Sequence, residues 1–116
     1  MDDKELLELA AKAAGYDKSF EYCEISGGVP SLYVRNPDLG IWSPLSDDGD
    51  ALRLAAKLSI NIEWGKPDAD GGRIVFANPH PLPATATYII EDGKQHRRAI
   101  VRAAAEIARQ ESSHDR

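Results

Sequence analysis

One cysteine, Cys23, stands in 116 residues, so no disulfide can close within the chain. A lone thiol suits a reducing compartment. Apolar runs are short. Ile74-Val75-Phe76-Ala77 is among the longest, far below the ~20 residues of a membrane-spanning helix. The opening Met1-Asp2-Asp3-Lys4-Glu5 is acidic, whereas a secretory leader starts basic and turns apolar. These shortages predict a protein with no membrane partner that stays in the cytoplasm where it is made.

The motifs of common chemistries are also missing. No Gly-Lys-Ser/Thr occurs, and neither Gly27-Gly28 nor Gly71-Gly72 belongs to a phosphate-binding pattern. His80, His96 and His114 are scattered without zinc-ligand spacing. Cys23 lies within a strand-like segment, while a reactive thiolate favours a helix N-terminus or a basic niche. Asp47-Asp48-Gly49-Asp50 gathers three carboxylates. The closing Glu of a calcium loop would fall at position 58, where Leu58 stands. The cluster therefore reads as a helix cap. No catalytic residue, cofactor or metal is expected.

What is present suits one globular domain. Apolar residues make up 42% and charged residues 28%, an ordinary balance, and the length is that of a single core. Net charge is −5 and uneven. Six of the basic residues and three of the acidic ones follow residue 93, leaving eight basic against sixteen acidic before it. The body is acidic and the last segment basic.

Leu6, Leu9, Ala10 and Ala13 recur at helical spacing, predicting a helix over about 3–14 that starts at Asp2 or Asp3 and stops at Gly15. Residues 20–25 and 31–35 have strand composition, and Gly27-Gly28 joins them as a hairpin with a loop longer than two residues. Asn36 to Gly40 reads as a turn. Asp47 caps a second helix, with Asp50 in the capping-box position and Ala51, Leu54, Ala55 and Leu58 as its buried stripe. Residues 61–64, 73–77 and 85–90 read as strands, separated by a polar loop and by Asn78-Pro79-His80-Pro81-Leu82-Pro83, whose prolines exclude helix. A short acidic turn, Glu91-Asp92-Gly93, precedes a last helix over about 94–110. Its stripe is Ile100, Ala103, Ala104 and Ile107. Residues 111–116 read as a fraying tail. The order α-β-β-α-β-β-β-α is that of an α+β fold, a single-domain α/β/α sandwich over residues 1–110. Its sheet would hold four or five strands, mixed or mostly antiparallel. Leu6, Leu9, Leu54, Leu58, Ile100 and Ile107 should bury against that sheet.

Two candidate surfaces stand out. Arg98, Arg102 and Arg109 fall within about 40° on the last helix, a stripe that could meet phosphate or an acidic partner. It lies opposite the apolar stripe, where any amphipathic helix places solvated charge. Trp42 and Trp64 are the largest apolar groups, and either could anchor an interface, although core packing suits at least one of them.

Three segments resemble the phage ABA-sandwich domain family, small proteins of bacteriophages and prophages. They are Glu5 to Gly15, Trp42-Ser43-Pro44-Leu45-Ser46-Asp47-Asp48-Gly49-Asp50 with its helix to Ala55, and Arg97 to Ile107. The resemblance implies a three-layer α/β/α arrangement and a phage or prophage origin, and supplies no catalytic residues. In physical terms, Trp42 and Leu45 precede the cap and can staple the second helix onto the sheet. The expected function is a non-enzymatic phage accessory protein that binds a host or phage protein in the bacterial cytoplasm. The alternatives are nucleic-acid binding through the arginine face, which the acidic body disfavours, and a small-ligand enzyme with a pocket near Trp42 and Asp47.

Overall fold

The computed structural model describes residues 2–16, 19–35, 38–66, 69, 74–78, 89–92 and 95–114. The first helix, α1 (Asp3–Ala13), begins where Asp2 accepts the Glu5 N–H at 2.8 Å. Acids in its first turn and Lys12 in its last oppose the helix dipole. It ends in a Schellman motif. Gly15 takes φ 90°, its N–H donates to the Lys12 carbonyl, and the Tyr16 N–H donates to the Ala11 carbonyl.

A hairpin follows, β1 (Phe20–Ile25) and β2 (Val29–Val34), in the antiparallel register Cys23↔Ser31. Gly27 and Gly28 both have positive φ in the three-residue connection, which is the conformation that glycine supplies without strain. A further strand, β3 (Gly40–Trp42), pairs with β2 through Leu32↔Trp42. The sequence reading has only a turn here, because Gly40 looked like the turn itself. Gly40 instead turns the chain at φ 69° and begins the strand.

The second helix, α2 (Asp48–Leu58), is capped by Asp47 as expected. It ends in a second Schellman motif, with the Ile60 N–H on the Ala55 carbonyl at 2.9 Å. Here the left-handed position is taken by Ser59 at φ 55°, a conformation that costs an L-residue free energy. Next come β4 (Asn61–Trp64), β5 (Ile74–Asn78) and β6 (Ile89–Asp92), paired antiparallel in that order. The third helix is α3 (His96–His114).

The class is α+β with three helices, as the pattern of elements indicates. The single sheet is corrected to two three-stranded antiparallel sheets, β1-β2-β3 and β4-β5-β6. The start of the expected 85–90 strand lies outside the described residues. Its end runs on through Glu91 and Asp92, which are strand and not turn. Helix α3 continues to His114, into the segment expected to fray.

The helices link the two sheets. Helix α1 packs on β1 and β2, while α3 packs on α1, α2, β5 and β6. Helix α3 is therefore buried over most of its circumference, its arginine stripe apart: Ala99, Ile100, Val101, Ala103, Ala104, Ala105, Ile107 and Ala108 are all buried. Helix α1, which packs on α3, also buries small side chains, Ala10 and Ala11, with Ala14 at its C-cap, and small residues let two helix backbones approach closely. Leu6, Leu54, Ile100 and Ile107 are buried as expected, while Leu9 and Leu58 are half-buried at the margin. Leu7, which the helical stripe left out, is fully buried. No helix among the described residues is long and apolar enough to cross a membrane.

Candidate functional site

The segment from Trp42 to Asp50 is tied down at nearly every residue. Alternation along β3 turns Ile41 outward and Trp42 inward; Ile41 is 46% exposed and Trp42 only 4%. The Trp42 ring meets the edge of Tyr16, centroids 5.6 Å apart at 84°. The next residue, Ser43, joins strand to helix. Its hydroxyl lies 2.6 Å from that of Ser31, and both serines are buried. Its N–H donates to Asp50 Oδ2 at 2.9 Å, and its carbonyl accepts from the N–H groups of Ser46 and Asp47. Pro44 is fully buried behind it.

The carboxylates that follow are each committed to a donor. Asp47 accepts the Asp50 N–H at 2.8 Å. Asp50 occupies the capping-box position, yet its carboxylate reaches Ser43 and not the Asp47 N–H, which is satisfied by the Ser43 carbonyl. Its second oxygen accepts from Arg53 at 2.7 Å, and this pair keeps the guanidinium firmly protonated. Asp48 accepts from His96 Nε2 and from Arg97 Nη1, each at 2.7 Å. These two hydrogen bonds, that of His96 foremost, hold the Asp48 carboxyl below the usual aspartate range. Arg97 also donates to the Leu45 carbonyl. The acidic turn is thus a clasp between α2, the β3 exit and the start of α3. Among the described residues no group of three His, Cys, Asp or Glu side chains is placed to hold a metal ion.

This anchoring leaves a groove of about 230 Å³ between β3 and α2. Trp42 and Leu54 form its buried floor, and Leu39 and Ile41 its exposed apolar rim. Arg53 and Lys57, one helical turn apart, edge it from α2. The Lys57 ammonium sits 4.8 Å over the Tyr16 ring, a favourable cation–π distance. Arg53 folds back over Gly49 to its 2.7 Å bond with Asp50. A Cβ at position 49 would lie 3.2 Å from the guanidinium nitrogens and from Asp47 Oδ2.

Trp42, named from sequence as a candidate for an interaction surface, is 4% exposed and lies at the floor of this groove. Trp64 is the exposed tryptophan, at 50%, with its ring 6.1 Å from that of His96. None of the three candidate arginines lines the groove. Arg98 pairs with Asp3 of α1 at 2.9 Å, and Arg109 with Glu106 at 3.1 Å. Arg102 is half-buried and also engaged. Of the stripe predicted from the helical wheel, Arg98 ties α3 to α1, while Arg109 pairs within α3 itself. Cys23 is half-buried on β1. His80 lies outside the described residues.

Comparison with known proteins adds nothing to this picture. No family model, curated protein or solved structure matches the chain. The chemistry of the groove must therefore be read from its own residues. Its lining holds no histidine, cysteine or serine, and its one carboxylate, Asp50, is bound to a backbone N–H and to Arg53. A nucleophile held by a base, the usual mark of covalent catalysis, is not among these side chains.

Sequence reasoning missed Leu39, Ile41, Arg53 and Lys57. The last two stood at i and i+4 on the polar face of the second helix, the signal of a shared edge. The first two flank Gly40 in what looked like a turn. An apolar residue on each side of a turn glycine hints that the turn is also a strand edge.

Proposed function

We propose that this chain is a non-enzymatic protein-binding module, and that the groove between β3 and α2 is its binding face. The observation that carries the reading is the pairing of a rigid aromatic floor with an exposed apolar rim, Leu39 and Ile41, at 45% and 46% exposure. Side chains that remain exposed around a pre-formed pocket of this kind are what interface anchors use. A phage or prophage accessory role in the bacterial cytoplasm rests on the three segments that resemble phage ABA-sandwich proteins. The nucleic-acid alternative loses support because Arg98 and Arg109 are paired internally. The small-ligand enzyme alternative has its pocket near Trp42, but the titratable groups there are engaged elsewhere: Asp50 with Ser43 and Arg53, and Lys57 over the Tyr16 ring.

Affinity capture from a bacterial lysate, with nuclease present, tests the proposal when three baits are compared. The wild-type chain and Leu52→Asp should retain the same protein, since Leu52 is exposed on α2 and lines no part of the groove. Ile41→Asp should lose it with an unchanged melting temperature. Equal retention by all three baits would refute the groove as the binding face.

A further inference from the structure

The groove is small, its floor apolar and its edge cationic, in a protein whose net charge is −5. We infer that it recognises a short acidic peptide segment in extended conformation, with one large apolar side chain over Trp42 and acidic residues against Lys57 and Arg53. This rests on the groove being the binding face.

Size sets the first constraint. Drug-sized ligands occupy pockets of about 300–1,000 Å³, and this groove, at about 230 Å³, falls below that range. It admits one side chain of a larger partner. Trp42, Leu54, Leu39 and Ile41 make that space apolar, so the side chain is aliphatic or aromatic.

Charge sets the second. The lining has two cations and one carboxylate, and Asp50 is already satisfied by the Ser43 N–H and by Arg53. The Arg53 side chain stays 73% exposed; its Nη2 donates to Asp50 and lies 3.9 Å from Asp47, and the other donors of the guanidinium fork remain for a further carboxylate. Lys57 faces the Tyr16 ring, and among the described residues no ion pair to it is found. Spacing fits as well. Four residues of helix rise about 6 Å, close to the ~6.6 Å between alternate residues of an extended strand. Acidic side chains two residues apart would therefore pass one cation each. The acidic body does not forbid this, because charges beyond about 10 Å are screened at physiological salt. It does disfavour a long polyanion, which must run past the groove onto that body.

The test is an array of octapeptides with all combinations of acidic, neutral and basic residues around a fixed Leu or Phe, probed with the labelled full chain. Single-stranded oligonucleotides serve as competitors. Peptides with two acidic residues should bind best, and replacing one Glu by Gln should weaken them up to about fivefold. Lys57→Glu should reverse the preference toward basic peptides, while Lys57→Arg should keep it. Position 57 is exposed, and unchanged melting temperatures would show that the variants fold. Enrichment of neutral or basic peptides that Ile41→Asp abolishes would overturn the acidic-peptide inference and leave the groove as binding face. Binding unaffected by Ile41→Asp, or no binding at all, would overturn both. Displacement by oligonucleotide at lower concentration than by acidic peptide would assign the groove to nucleic acid instead.

Discussion

Ser59 is the residue at which local chemistry and backbone conformation disagree most plainly. It closes α2 in the left-handed region, at φ 55°, where a side chain is disfavoured and glycine is not. Ser59→Gly should therefore stabilise the fold by about 0.5–1 kcal/mol, less the entropy glycine adds to the unfolded chain. A denaturant titration showing a higher midpoint at unchanged slope would establish it, and a lower midpoint would show that the serine hydroxyl supports the turn. Asp48 gives a pH-dependent counterpart. Its carboxyl titrates below the usual range because His96 and Arg97 donate to its ionised form. A group whose folded pKa is depressed adds stability above its unfolded value, near 3.8, and loses that contribution as pH falls through the folded value. Asp48→Asn should accordingly lower the melting temperature at neutral pH, and the gap to wild type should close as pH falls below about 4. A gap that persists in acid would mean that the clasp acts by shape and not by charge.

At the scale of elements, helix caps were the most legible feature of the sequence. Asp2, Gly15 and Asp47 act where side-chain chemistry places them, because a cap is a contact between near neighbours. The strand β3 was not legible, since three residues carry no period and their identity as strand depends on β2 lying beside them. The character of α3 was only half legible. Its alanines looked neutral, and the wheel gave one buried stripe, whereas contacts with α1, α2 and the second sheet bury Ala99, Val101, Ala105 and Ala108 too. Small residues carry little hydrophobic signal but set how closely helices approach. Ala104→Leu should thus destabilise by about 1–3 kcal/mol through overpacking, measured by chemical denaturation. An unchanged midpoint would mean that α3 has room on that face. The groove was illegible for the same reason as β3. Trp42 was singled out, but the groove exists only where β3, the α2 residues Arg53 and Lys57, and Tyr16 beyond the end of α1 come together.

For the molecule as a whole, charge and pairing point away from nucleic acid. Each phosphate contact acts by releasing about one counterion, and two of the three aligned arginines are paired to Asp3 and Glu106. Fluorescence anisotropy with duplex DNA at about 0.15 M salt should show no submicromolar binding, and replacing Arg98, Arg102 and Arg109 by Gln should change nothing. Submicromolar binding lost in that triple variant would restore the arginine face as the functional surface. The central claim is more direct: partners dock over β3 and α2. Site-specific photo-crosslinking tests it, with a photoreactive residue placed in turn at Ile41, Leu52 and Trp64, all exposed. The account predicts a protein adduct from position 41 alone, suppressed by the acidic octapeptide. An adduct from position 52 or 64, with none from 41, would contradict it.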